Sequence, residues 1–163
     1  MPRKLPKQKP GRSKQDYGTP PEFMRAIEHR FGKVTFDLAA SPHNAKAERY
    51  FALENGFDSL KQNWKEPELG GVRWLNPPFS DIEPWAAKCA ECRWLPVWTL
   101  LLTPASIGSL WYARHVLRRG HVDGISRITF VGETTPYPKD LMLSCFGFGV
   151  SGNGFWQWNK KEE

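Results

Sequence analysis

The chain is poor in cysteine: Cys89, Cys92 and Cys145 are all that its 163 residues contain. That excludes the dense disulfide framework of a small secreted domain. Cys89 and Cys92 form a single Cys-x-x-Cys with no second pair. Cys145, His29, His43, His115 and His121 have no zinc-ligand spacing, so no metal is expected. No apolar run approaches the roughly 20 residues of a membrane-spanning helix, so no membrane partner is expected. The first residues are basic and proline-rich, unlike a signal peptide. A glycine-rich dinucleotide loop, an internal repeat and a helix-turn-helix are also missing. These absences leave a cytoplasmic protein as the expectation. Hydrophobic residues at 40% and charged residues at 25% exclude general disorder, and the length suits one domain with a substantial core.

Acidic residues are few, 17 against 23 lysines and arginines. Arg3, Lys4, Lys7, Lys9, Arg12 and Lys14 all precede the first acid, Asp16, and carry the whole formal excess of +6. Residues 1–15, with Pro2, Pro6 and Pro10, are therefore expected to be a disordered basic tail, and 16–163 one folded domain. Such a tail either sits beside phosphates and releases counterions, or serves as a solvated appendage.

Within the folded part, Thr19-Pro20-Pro21-Glu22 reads as a capping-box helix start, with Thr19 as N-cap and Pro20 as the first helical residue. Phe23, Ile27 and Phe31 share the apolar face, and Gly32 is the stop. Free amides at that start would suit a carboxylate. Residues 34–40 are expected as a strand breaking at Ser41-Pro42, where Ala39, Ala40 and Ser41 permit close approach by a ligand. Arg49-Tyr50-Phe51 reads as a short extended piece, Asn55-Gly56 as a turn, and Asp58 as either a helix cap or a ligand carboxylate. A helix capped by Ser80 or Asp81 should run to about Arg93, packing Ile82, Trp85, Cys89 and Cys92. A strand is expected over 97–102. A helix from Ser106 should follow, bearing Ile107, Leu110, Ala113 and Leu117 at helical spacing, with Gly120 as its stop. A strand over 125–131 and an exposed loop over 132–140 come next. Strands 141–150 and 155–158, joined across Ser151-Gly152-Asn153-Gly154, read as a C-terminal hairpin. Strands alternating with helices imply a three-layer α/β sheet, mostly parallel, with antiparallel strands at one edge.

The chemistry concentrates at residues 76–79. Val72-Arg73-Trp74-Leu75 reads as a buried strand that two prolines must end, since neither can donate to a ladder. Asn76-Pro77-Pro78-Phe79 then falls at the carboxyl end of a strand, where open α/β sheets bind ligands. The Asn76 side-chain carbonyl and the Pro77 main-chain carbonyl can accept from one planar amino group, and Phe79 offers a face to a flat heteroaromatic ring. Taken alone, the tetrapeptide is equally well a Pro-Pro turn closed by a core ring.

The set Thr19-Pro20-Pro21-Glu22, Phe36-Asp37-Leu38-Ala39-Ala40-Ser41 and Asn76-Pro77-Pro78-Phe79 resembles the small phage-type, Dam-like DNA N6-adenine methyltransferases over roughly residues 16–150. The resemblance implies a Rossmann-like fold that uses S-adenosylmethionine on double-stranded DNA within a bacterial host cell. It also implies roles for individual residues. Asn76, Pro77, Pro78 and Phe79 would hold and stack the target adenine. Thr19 and Pro20 would lie by the methionine end of the cofactor, with Asp37, Ala39 and Ser41 lining it. Asp58 resembles the acid of the family's Asp-Gly-Leu motif, with Ser59 in place of glycine. Arg3 to Lys14 would meet DNA. No second acid for the cofactor's ribose is identifiable. Methyl transfer to RNA or to a protein glutamine, and a noncatalytic DNA-binding role, are the competing readings.

Overall fold

The computed structural model describes residues 17–66 and 69–159. The chain forms α1 (Pro21–Phe31), β1 (Phe36–Asp37), β2 (Val72–Leu75), α2 (Glu83–Glu91), β3 (Trp98–Pro104), α3 (Leu110–His115), β4 (His121–Ile125), β5 (Leu141–Phe146) and β6 (Gly152–Trp156). The strands make one six-stranded sheet in the order β1-β2-β3-β5-β4-β6. The pairs β1–β2, β2–β3 and β4–β6 are parallel, whereas β5 runs antiparallel to both β3 and β4. Five strands therefore point one way, and β5 alone is reversed.

Side-chain alternation builds the two sides of this sheet. Val72, Trp74, Leu100 and Leu102 join Phe23 and Ile27 of α1 in one buried cluster. Leu75 and Leu101 join Ala86, Cys89, Tyr112 and Val116 of α2 and α3 in the other. The period of two thus makes a core on each face and an α/β/α layering. Among the described residues no helix is long and apolar enough to cross a membrane.

Several expectations need correction. The C-terminal hairpin does not form: β5 and β6 are not partners, and β6 lies on the far side of β4. The reversed strand is thus interior to the sheet and not at its edge. Thr19 does not cap α1; Pro20 occupies the N-cap without a side-chain bond, and Pro21 is the first helical residue. Pro20 and Pro21 lack an N–H, and Phe23 and Met24 donate to the Pro20 carbonyl. Glu22 keeps the remaining donor of that turn, so the carboxylate cradle expected there is reduced to one group. Ile82, not Ser80 or Asp81, occupies the N-cap of α2. In α3 the N-cap is Ser109, and Ile107, Leu110 and Leu117 are 67, 67 and 43% exposed. Helical spacing was misleading because only one and a half turns form, and Tyr112 and Val116 face the core instead. The strand expected over 125–131 ends at Ile125. Gly120 does not stop α3, which ends at His115. It serves a close approach: a Cβ there would stand 2.6 Å from the Cys145 carbonyl oxygen of β5.

Candidate active site

The ends of β1 and β2 open onto a cavity of about 450 Å³. Strand β1 is short because Ala39 to Pro42 turn away from the sheet, but its backbone stays engaged on both sides. Leu38 N–H donates to Trp74, while Asp37 N–H donates to Arg49 and Phe51 N–H to Asp37. The extended piece expected at 49–51 is thus a bridge against β1.

Asp37 sits at this end, 3% exposed. One carboxylate oxygen accepts from Ala39 N–H at 3.2 Å and the other from Lys46 N–H at 2.9 Å. Burial raises its pKa from 3.8 to about 6, against the lowering pull of those two N–H groups and of the Lys46 charge. Lys46 is itself lowered by burial, opposed by the Asp37 charge. Ala39 and Ser41 line the cavity, and Ser41 N–H donates to the Asn44 side chain at 2.8 Å. Asp58 also lines it, capping the short helix Ser59–Lys61 through Leu60 N–H at 3.1 Å and pairing with Lys61 at 3.4 Å.

Asn76 forms the cavity's inner edge. Its Nδ2 donates to the Tyr17 carbonyl at 2.7 Å and to Thr19 Oγ1 at 3.2 Å. A main-chain carbonyl can only accept, so the amide nitrogen must face Tyr17 and Oδ1 must point the other way. Thr19, 1% exposed, is therefore an orienting partner of Asn76 as well as a wall residue. Pro78 also lines the cavity, whereas Pro20 and Pro77 are buried behind it. Phe79 does not line the cavity and sits in a box of rings. Tyr17 is near-parallel to it at 5.9 Å and 27°, Tyr137 edge-on at 5.7 Å, and Phe130 at 6.4 Å. Burial raises the Tyr137 hydroxyl pKa, and the neighbouring Tyr17 adds to the rise.

The structure thus brings Thr19, Asp37, Ala39, Ser41, Asp58, Asn76 and Pro78 around one cavity, with Phe79 adjoining it. Arg3, Lys4, Lys7, Lys9, Arg12 and Lys14 lie outside the described residues. Among those described, no group of three or more His, Cys, Asp or Glu side chains could hold a metal ion.

Comparison with known proteins bears on this arrangement directly. The sequence model described as DNA N-6-adenine-methyltransferase (Dam) matches residues 7–144. The chain belongs to this family. A DNA N-6-adenine-methyltransferase of Escherichia phage T1 is 30% identical over 96 residues, 59% of this chain. The matched stretch spans 38% of that phage protein's length.

Within this Dam-family chain, sequence reasoning missed Tyr17, Phe130 and Tyr137 around Phe79, and Lys46, Glu54 and Trp85 on the cavity wall. Tyr137 did carry a signal, since prolines on both sides restrict the backbone around an aromatic residue in a largely exposed loop. Tyr17 carried one too, two residues before Thr19. Glu54, on an exposed 3₁₀ turn, left none.

Proposed function

We propose that this chain transfers a methyl group from S-adenosylmethionine to N6 of adenine in double-stranded DNA, within a fixed sequence context. The observation that carries the reading is the pair of bonds from Asn76 Nδ2 to Tyr17 and Thr19, which aims Oδ1 away as an acceptor. We read the sheet as Rossmann-like, with its crevice at the carboxyl ends of β1 and β2.

The cavity fits the cofactor. Its volume lies in the range of small-molecule sites, and Phe51, Leu53, Phe57 and Trp85 give it an apolar wall suited to a nucleoside. Asp37 and Lys46 offer paired charges for an amino acid moiety, and Glu54 offers the acid for ribose hydroxyls that the sequence left unassigned. When bound, S-adenosylmethionine supplies an electrophilic sulfonium methyl group.

The chain's own part concerns the amine. Adenine N6 is a weak nucleophile because its lone pair is delocalised into the ring. Asn76 Oδ1 and the Pro77 carbonyl accept hydrogen bonds from its two N–H groups, favouring a more tetrahedral nitrogen whose lone pair faces the methyl group; once methylated, the amine releases one proton to solvent and keeps the other. The base must leave the helix, which costs a few kcal/mol. Stacking on Phe79, worth about 1–3 kcal/mol, offsets part of this. The tail cations at positions 3–14 contribute phosphate contacts.

Detection of N6-methyladenine by sequencing DNA from cells expressing the protein tests the reading and yields the context. Asn76→Ala should abolish the modification while keeping cofactor affinity by calorimetry. Methylated RNA or glutamine with unmodified DNA would favour the rival substrates, and no cofactor binding would favour a noncatalytic binder.

A further inference from the structure

Beside the ring box stands an exposed aliphatic side chain on a rigid mount. Val131 is 58% exposed and directly follows Phe130, whose ring is 5.0 Å from that of Tyr17 and 6.4 Å from that of Phe79. Two hydrogen bonds fix its backbone. Val131 N–H donates to the Gly18 carbonyl at 2.9 Å, and Gly132, at φ +81°, turns the chain so that Glu133 N–H closes on Phe130 at 3.0 Å. Gly18 passes so near that a Cβ built on it would lie 3.3 Å from the valine Cβ. Single exposed apolar residues are ordinary on protein surfaces. This one differs in its place, one residue from a ring that adjoins the adenine stacking face, and in a branched side chain with little freedom of its own.

We propose that Val131 is the wedge that enters the base stack when the target adenine leaves it. The inference rests on the DNA-methylating reading of the site. A base drawn onto Phe79 leaves a gap between its former neighbours, and apolar side chains fill such gaps by partial insertion between base steps. Val131 is a positioning residue in this role: it touches the bases left behind, not the reacting amine. Ile107 is also exposed, at 67%, on the loop after β3. That loop is tied through Ala105 N–H to the Asp140 carbonyl, ten residues along from Phe130. The loop is thus joined to the end of the segment that carries Val131.

The test uses the full chain and two duplexes carrying the methylated context found as above. In one the target adenine is paired; in the other it faces an abasic site and is already loosened. Val131→Ala should lower kcat/KM on the paired duplex about tenfold, and less than about twofold on the loosened one. Val131→Leu should restore most of the loss. With 2-aminopurine at the target position, the fluorescence gain on binding should shrink for Val131→Ala and stay unchanged for Ile107→Ala. Equal losses on both duplexes would make Val131 a structural residue, and no loss on either would remove it altogether. A paired-only loss in Ile107→Ala instead would move the wedge there; each of these results overturns the proposal. Wild-type protein that methylates neither duplex would refute the functional reading itself, a different failure.

Discussion

Asn76→Asp tests the orientation of the Asn76 amide, and with it the catalytic role proposed for it, most sharply, because it changes one atom's hydrogen-bonding character and almost nothing of its volume. The substitution puts an oxygen where Nδ2 stood, 2.7 Å from the Tyr17 carbonyl and 3.2 Å from Thr19 Oγ1. The Thr19 hydroxyl can rotate to donate, but the Tyr17 carbonyl cannot. The Thr19 bond is reversed and kept, whereas the Tyr17 bond, worth about 0.5–1.5 kcal/mol, is lost and its contact becomes repulsive between two oxygens. The introduced carboxylate relieves this by turning away, which takes its second oxygen off the amine. Losing about 2–3 kcal/mol of transition-state stabilisation would slow methyl transfer about 30- to 150-fold at pH 8. Protonation returns a donor to Tyr17, so repulsion raises the introduced carboxyl's pKa and the variant should recover as pH falls from about 8 to about 6. Single-turnover transfer of radiolabelled methyl groups at saturating cofactor measures this, with wild type at each pH as reference. A variant as fast as wild type at pH 8, or one with no relative gain at low pH, would refute the orienting role of Tyr17 and Thr19.

Thr19→Val removes the second of those acceptors with little change of shape. It should reduce single-turnover transfer about 2- to 10-fold with cofactor affinity unchanged; weakened affinity with an unchanged rate would instead make Thr19 a cofactor contact. Asp37 carries a pH signature. Because burial lifts its folded-state pKa from 3.8 to about 6, the folded chain holds the extra proton between those values, and stability falls as pH rises through that window, by about 3 kcal/mol. The difference in urea-unfolding free energy between wild type and Asp37→Asn should change by about that amount between pH 4 and pH 7, and a difference flat in pH would refute the assignment. Deleting residues 1–14 should reduce the slope of log affinity against log salt by up to about five units, with the methylated sequence unchanged. An unchanged slope would make the tail a solubility device.

The fold was legible where a segment's own pattern settles its structure. Val72 to Leu75 reads as a buried strand ended by prolines, and it is one, because no partner could satisfy a chain that lacks donors there. Gly32 stops α1 with φ +96°, as its position implies. Asp58 caps the turn it precedes. Illegible features depended on partners distant in sequence. Ser151 to Gly154 resembles a hairpin turn, but β5 fits between β3 and β4, so β6 must pair elsewhere. Ile107, Leu110 and Leu117 have helical spacing, yet α3 ends before that spacing can act.

The candidate site shows the same division. The acceptors of Asn76 and Pro77 and the ring face of Phe79 follow from residue type, so the proposal of a grip on a planar amine needs no coordinates. Which way the Asn76 amide points could not, since it depends on a carbonyl 59 positions earlier in the chain. Asp37 could be placed at a strand end from sequence, but not its burial or the two N–H groups that hold it. The rings around Phe79 come from two segments, residue 17 before α1 and residues 130 and 137 in the β4–β5 connection, and sequence proximity links neither to residue 79. Their convergence makes Phe79 part of the packing, in addition to the stacking role proposed for it. A larger ring at that position would crowd Tyr17 and Tyr137 before any base arrived. Phe79→Trp should accordingly lose thermal stability as well as activity, so flatness of the ring alone does not define what this position needs.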